Sequence, residues 1–276
     1  MNPADAPWQC AGCAVEFEPS RTLPTHCPIC EDERQYIPGG TQRWTCSETL
    51  EREGHQIQVR ELEEGLTALR APEVGIGQSA LLIRSEDGNL LFDVPGMISS
   101  HAVEVIRELG GIAAIVASHP HMYGVQVQYS QAFDDAPIYV AEADKQWVQR
   151  SSDAIRYWSE SFEVLPGIWL HQVGGHFPGS TVAEWAAGAR GGGALLAGDA
   201  VFPVADGNVT FLRSYPNRIP LSAAVVRRMA AQLDSLRFDR LYNNFAACVP
   251  SDAHRVVQFS AERYARWVGG DYDELT

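Results

Sequence analysis

The chain has 276 residues, room for one large α/β domain and a small accessory piece. Its apolar fraction of 45% is ordinary for a globular protein, and no stretch is apolar for long enough to span a bilayer. A formal charge of −14 and the lack of a basic stripe argue against nucleic acid as the main partner, because phosphate contacts need clustered Lys and Arg. The oligomeric state stays open.

The start, Met1-Asn2-Pro3-Ala4-Asp5, has neither a basic segment nor an apolar core, so no secretory leader is read and a cytoplasmic location is expected. Cys10-Ala11-Gly12-Cys13 is followed by Cys27-Pro28-Ile29-Cys30. Two Cys-x-x-Cys pairs this close are a strong zinc signal, each pair supplying one side of a tetrahedron. The competing reading is two disulfides, which the missing leader disfavours. A redox Cys-x-x-Cys would need a strand-to-helix setting that this stretch lacks. His26 is an alternative ligand, while Cys46 and Cys248 read as lone thiols. Residues 1–40 are therefore expected to form a zinc-ribbon-like module with one structural zinc on Cys10, Cys13, Cys27 and Cys30, and residues 41–276 the main domain.

Beyond the turn at Pro38-Gly39-Gly40, Ser47 is expected to cap a short helix with Leu50 facing inward. Gln56 to Arg60 alternates as a strand does, and Glu61, Glu63 and Glu64 read as a solvated face. Ser79 to Arg84 and Asn89 to Phe92 suggest a hairpin across Asp87-Gly88. Ser99 or Ser100 can cap a helix whose Val103, Ile106 and Leu109 share one face. His101 reads as a surface residue.

The short apolar run Ile112 to Val116 reads as a buried strand, and Ser118-His119-Pro120-His121-Met122-Tyr123-Gly124 follows its carboxyl end. Imidazole suits zinc and its transition-metal neighbours, and Pro120 limits the backbone between the two histidines. Helices are expected over Val127 to Phe133 and Ala143 to Arg150, with a strand at Pro137 to Val140. A third histidine sits in the turn Gly174-Gly175-His176-Phe177-Pro178-Gly179-Ser180, between strands at Ile168 to Val173 and Thr181 to Trp185. His171 reads as a packed or edge-strand residue. Ala194 to Ala197 is another short strand, and Gly198-Asp199 places a carboxylate just after it. Three imidazoles and one carboxylate near strand ends make a four- or five-coordinate metal site plausible.

The ordered set His-x-His, Gly-His-x-Pro-Gly-Ser and Leu-x-Gly-Asp resembles the signature of the metallo-β-lactamase-like hydrolase fold over roughly residues 65 to 265. The resemblance implies an α/β fold, a four-layer αββα sandwich. It assigns His119, His121, His176 and Asp199 to a metal site. The family's first motif continues with Asp and His, where this chain has Tyr123 and Gly124. Its last histidine has no match at Tyr242-Asn243-Asn244-Phe245, and His254 reads as part of a helix start. The site is therefore expected to hold one metal ion, and an Asp and a His at positions 123 and 124 would be expected to recruit a second.

What the resemblance implies for function is hydrolysis by a metal-bound hydroxide, with Asp199 as a ligand or as the group orienting the water, and zinc as the ion. Tyr123 is a candidate hydrogen-bond donor to a developing oxyanion. Arg213, Tyr215 and Asn217 are candidate substrate contacts. Two rivals remain: an iron or manganese redox site, and a degenerate fold kept as a binding or scaffold protein. Leu221 to Leu236 and Asp252 to Trp267 are expected as long helices. Val256, Val257, Phe259, Tyr264 and Trp267 are the candidate buried positions of the second helix, and an acidic tail follows.

Overall fold

The computed structural model describes residues 7–276. The opening Met1-Asn2-Pro3-Ala4-Asp5, where no leader is read, lies outside the described residues. The chain divides into two compact units, the first ending at Trp158 and the second spanning Ser159–Thr276.

In the first unit, β1 (Pro7–Cys10), β2 (Glu16–Pro19) and β3 (Trp44–Thr45) form a small antiparallel sheet in the order β2-β1-β3. The chain reverses between β1 and β2 through Ala14 at a φ of +64°, where Ala14 N–H donates to the Cys10 carbonyl at 2.7 Å. Cys27 precedes a one-turn helix, Pro28–Glu31, begun by a proline whose missing N–H costs nothing there. This is the zinc-ribbon-like module. Its four cysteines, Val15 and Ile29 belong to the same buried cluster as Leu82, Leu91, Val94 and Ile115, so the module shares a core with the sheet that follows.

That sheet has seven strands: β4 (Gln58–Glu63), β5 (Leu66–Arg70), β6 (Ser79–Ile83), β7 (Leu90–Phe92), β8 (Ala114–Val116), β9 (Ile138–Ala141) and β10 (Ile155–Trp158). They run in the order β10-β9-β8-β7-β6-β5-β4. The β4 to β7 half is antiparallel and joined by turns and short loops, while β7, β8, β9 and β10 are parallel and need crossovers. The helices Ser100–Glu108 and Gln126–Ala132 supply two of these crossovers. Ser99 caps the first by accepting from Ala102 N–H at 3.2 Å, and Ala102 and Ile106 face inward. The parallel strand β8 is buried along its length, which is why it reads as an apolar run.

Two local expectations change here. Ser47 opens the helix Ser47–Arg52 as its first residue rather than capping it, and its hydroxyl donates to Gln9 Oε1 at 3.1 Å. The stretch from Ala143 to Arg150 forms only a short 3-10 helix, Glu142–Trp147, with no further helical turn.

The second unit has a six-stranded sheet of β11 (Ser161–Leu165), β12 (Ile168–Gln172), β13 (Thr181–Trp185) and β14 (Ala194–Leu196), completed by two later strands. Two small ribbons follow β14: β15 (Phe202–Pro203) with β16 (Val209–Thr210), and β17 (Leu212–Ser214) with β18 (Ile219–Pro220). Then come the helix Ala223–Asp234, β19 (Arg240–Tyr242), β20 (Cys248–Val249) and the helix Ala253–Val268. The sheet order is β11-β12-β13-β14-β19-β20, with β14 and β19 parallel. Val226, Met229 and Leu233 of one helix share a buried cluster with Val257 and Ala261 of the other.

The last long helix corrects the sequence reading. Phe259 and Trp267 are 58% and 48% exposed. Val257 is buried and Val256 and Tyr264 pack against the same core, as expected, while the rest of the inward face is Ala253, Ser260, Ala261 and Ala265. Small side chains there let the helix approach its neighbours closely, and apolar size alone misplaced Phe259 and Trp267. No helix among the described residues is long and apolar enough to cross a membrane.

Candidate metal centres

Two ligand clusters are present, and each is poised to hold a metal ion. In the first, Cys10 and Cys30 sulfurs are 3.5 Å apart and Cys13 and Cys27 sulfurs are 3.7 Å apart. A disulfide would need about 2.0 Å. Four thiolates around one zinc at about 2.3 Å would sit about 3.8 Å from one another, so the spacing fits a tetrahedral site. All four are buried. The side chains of Cys13, Cys27 and Cys30 turn toward Cys10 and hold its thiol far below the usual range, against the effect of burial. Gln42 Nε2 donates to Cys10 Sγ at 3.1 Å, the kind of second contact that steadies a metal thiolate. His26 stands outside this cluster, 58% exposed in its side chain and paired with Glu31 at 3.1 Å. Cys46 contacts Thr49 Oγ1, and Cys248 is exposed.

The second cluster draws on β8 and its sequel in the first unit. His119 takes an extended backbone after the strand, and Pro120–Met122 forms a 3-10 turn that brings His121 round. Their rings lie 5.1 Å apart at 76°, and both residues are buried. Ser118 Oγ meets His119 Nδ1 at 2.9 Å, which directs Nε2 to ligation. Ser118 N–H in turn donates to Asp93 Oδ1 at 2.7 Å, anchoring the loop to the end of β7.

In the second unit, His176 sits in the turn after β12. Gly175 there has a φ of +93°, and a Cβ on it would lie 2.4 Å from Met229 Sδ, so the turn requires glycine. His176 Nδ1 donates to the Leu212 carbonyl at 3.1 Å, and its Nε2 is 3.8 Å from Asp199 Oδ2. Tyr215 hydroxyl donates to the Asp199 carbonyl at 2.9 Å, and its ring is 5.7 Å from that of His176. Burial, then the Asp199 charge, push the Tyr215 phenol well above its usual range.

His119, His121, His176 and Asp199 each offer one ligand atom, and these atoms all lie within 4.8 Å of one another. The donor set is nitrogen and oxygen, buried, with Nδ1 of His119 and of His176 each held by a partner. It fits a zinc-like ion.

The other sequence candidates are placed as follows. Tyr123 is buried, donates to the Asp144 carbonyl at 3.3 Å, and has its phenol pushed well up by burial and then by Asp144. Gly124 has a φ of +48°, and a Cβ there would lie 2.6 Å from the Pro95 carbonyl oxygen and 2.7 Å from that of Val94. A histidine cannot replace it without moving that loop, so the expectation that Asp and His at 123 and 124 would recruit a second ion is corrected. Arg213 lies on β17, and Asn217 is exposed with its N–H on Ser214 Oγ at 3.1 Å. Of the remaining histidines, His171 meets Ser161 and Glu184 on the sheet, His254 lies beside Asp234 and His101 is exposed. Asn243, where a late ligand was sought, uses its Oδ1 to accept Phe245 and Ala247 N–H and shapes its own loop. Sequence reasoning missed Ser118, Asp93, Gln42 and the Leu212 carbonyl. Each acts by contact alone and belongs to no motif.

No family model matches the sequence. It is 44% identical over 261 residues to "Uncharacterized protein YmaE" of Bacillus subtilis (strain 168), covering 93% of this chain and 95% of that one. The chain belongs to the YmaE family. Among solved structures it is similar to VMB-1 (TM-score 0.57, 14% identity), covering 76% of this chain and 99% of that one. It is also similar to the metallo-β-lactamase DIM-1 (TM-score 0.55, 12% identity, 75% of this chain and 98% of that one). A B3 metallo-β-lactamase with an active-site glutamic acid matches at TM-score 0.53 and 15% identity, over 84% of this chain and 97% of that one. At such identities the likeness shows the fold. This YmaE-family chain has the α/β, four-layer αββα metallo-β-lactamase-like sandwich with an added N-terminal four-cysteine module.

Proposed function

We propose that this YmaE-family protein is a metal-dependent hydrolase of a small-molecule substrate. One ion is held by His119, His121, His176 and Asp199, and a structural zinc by Cys10, Cys13, Cys27 and Cys30. One observation carries the reading. Four buried side chains from three separate motifs offer ligand atoms within 4.8 Å of one another, in a chain of metallo-β-lactamase-like fold. A bound ion of this kind lowers the pKa of water toward neutrality and polarises a substrate oxygen.

The chain's own residues do the rest. Ser118 Oγ and the Leu212 carbonyl orient His119 and His176 by their Nδ1 atoms. Asp199 is assigned as ligand and as acceptor for a proton of the attacking water. Tyr215 fixes the backbone of Asp199 through its hydroxyl and, with Arg213 and Asn217, is assigned to substrate contact. Tyr123, the candidate donor to a developing oxyanion, is assigned no such contact, since its hydroxyl donates to the Asp144 carbonyl.

The test is metal analysis of protein purified without added metal, joined to hydrolysis assays on esters, thioesters, lactones and phosphodiesters. Two metals per chain, with His176→Ala losing one of them and all hydrolysis, is the expected result. A single metal held by the cysteines, with no hydrolysis of any of the four classes, refutes it.

A further inference from the structure

The module that carries the cysteines is fastened to the loop that carries His119 and His121, and one side chain does most of the fastening. Glu16 follows Cys13 by three residues and opens β2. Its backbone N–H donates to the Gly124 carbonyl at 3.0 Å. Its carboxylate accepts Val127 N–H at 2.5 Å, at the start of the helix Gln126–Ala132, and Gln128 Nε2 at 3.3 Å. Arg150 closes the group at 2.6 Å and reaches Gln131 with its other nitrogen at 3.3 Å. Glu16 is 2% exposed and Arg150 9%. A buried carboxylate satisfied on this scale costs much to disturb, since removing one partner leaves the others buried and unmet. These contacts bracket residues 124 to 128, immediately after the turn that aims His121.

The same turn is held from its other side. The Val94 N–H donates to the Met122 carbonyl at 3.2 Å and Val125 N–H to the Pro95 carbonyl at 3.4 Å. The Val94-Pro95-Gly96 segment is in turn packed under the cysteine turn. A Cβ on Gly96 would lie 2.8 Å from Ala14 Cβ, and one on Gly75 2.7 Å from the same atom. Gln9 Nε2 ties the segment to β1 by donating to the Gly96 carbonyl at 2.8 Å. The position of Ala14, and hence of Glu16, is set by the Cys10–Cys13 turn.

We propose that Glu16 is a positioning residue for the His119–His121 loop, through which a filled cysteine site tightens metal binding at the His/Asp site. The inference rests on the reading of that cluster as a metal site. Because coupling of two binding sites is reciprocal, the His/Asp metal also tightens the cysteine site.

The experiment titrates zinc into full-length apoprotein against a chromophoric chelator, in a background where Cys46 and Cys248 are serine so that only the four cluster thiols react. Glu16→Gln keeps the size of the side chain but sets an amide N–H against the donors of Val127 and Arg150. It is expected to weaken the His/Asp site by about tenfold, the usual scale for losing a group that orients metal ligands, while the cysteine site still takes one zinc. Glu18→Gln is the control, because the Glu18 carboxylate on the same strand accepts from Ser151 and not from the His119–His121 loop or the helix after it. It should leave both affinities unchanged. Hydrogen exchange at the Val127 amide should speed up in Glu16→Gln and not in Glu18→Gln. If Glu16→Gln does not fold, the unsubstituted Glu16 protein serves: blocking the four cluster thiols with a mercurial should weaken the His/Asp site by a similar factor. Two metals in each protein with an unchanged second affinity overturns the inference alone. Failure of the parent protein to bind a second metal overturns the hydrolase reading with it.

Discussion

The two metal-ligand clusters differ in how the chain builds them. The cysteine cluster comes from one stretch, Cys10 to Cys30, and its four sulfurs share a core with the first unit. The His/Asp cluster takes ligands as far apart in sequence as His119 and Asp199, with His119 and His176 oriented by Ser118 Oγ and the Leu212 carbonyl. The first kind of site depends on its metal for local structure. The second depends on structure already in place for its metal. Loss of a ligand should therefore unfold in one case and merely empty in the other.

The largest effect is expected from Cys27→Ser. It should lose the cysteine-bound zinc and destabilise the protein by on the order of 4 kcal/mol or more, because ligation supplies the folding energy of such a module. The shared core means the loss spreads beyond the first forty residues, which a melting curve read with metal content will show. Equal zinc content in the variant would refute the site.

Next is Gly124→His, alone or with Tyr123→Asp. The φ of +48° and the contacts of 2.6 and 2.7 Å to the Pro95 and Val94 carbonyls predict a destabilisation of about 3 kcal/mol and no gain of a second ion. Denaturant unfolding and metal counting check both halves. A stable double variant that takes up an extra metal would contradict the reading of this loop.

His121→Ala sharpens the contrast from the other side. It should cut metal content by one per chain and leave the cysteine zinc and the fold in place, as circular dichroism and metal analysis will register. Smaller still is Tyr123→Phe. It removes one 3.3 Å hydrogen bond to Asp144 and should cost about 1 kcal/mol with no change in metal content. A lost metal in this variant would return Tyr123 to the chemistry. Smallest is Phe259→Ser, on a surface 58% exposed, expected within about 0.5 kcal/mol of the parent in thermal unfolding.

Much of this was legible in the sequence, and the reasons are physical. Cys-x-x-Cys spacing reports geometry directly, since two thiols on one turn must converge. β8 and β14 are buried along their length and so read as apolar runs, which placed His119, His121 and Asp199 just past strand ends. What escaped was set by contact between distant residues. No local pattern marks Glu16 as the partner of Val127 and Arg150, 111 and 134 residues away. Part of the inner face of the helix Ala253–Val268 escaped for another reason: beside Val257, close packing selected alanine and serine, and side-chain size misled at Phe259 and Trp267. The missing second-site histidine was visible as Gly124, but that the backbone there admits only glycine was not, because φ is invisible in a sequence.

The central claim is that the His/Asp cluster holds a single metal ion and the cysteine cluster another. Anomalous diffraction above and below the zinc edge, on crystals of protein purified without added metal, tests it most directly. The account predicts two peaks per chain, one among Cys10, Cys13, Cys27 and Cys30 and one among His119, His121, His176 and Asp199. A pair of well-occupied peaks a few ångströms apart at the histidines, or no peak there at all, would contradict it.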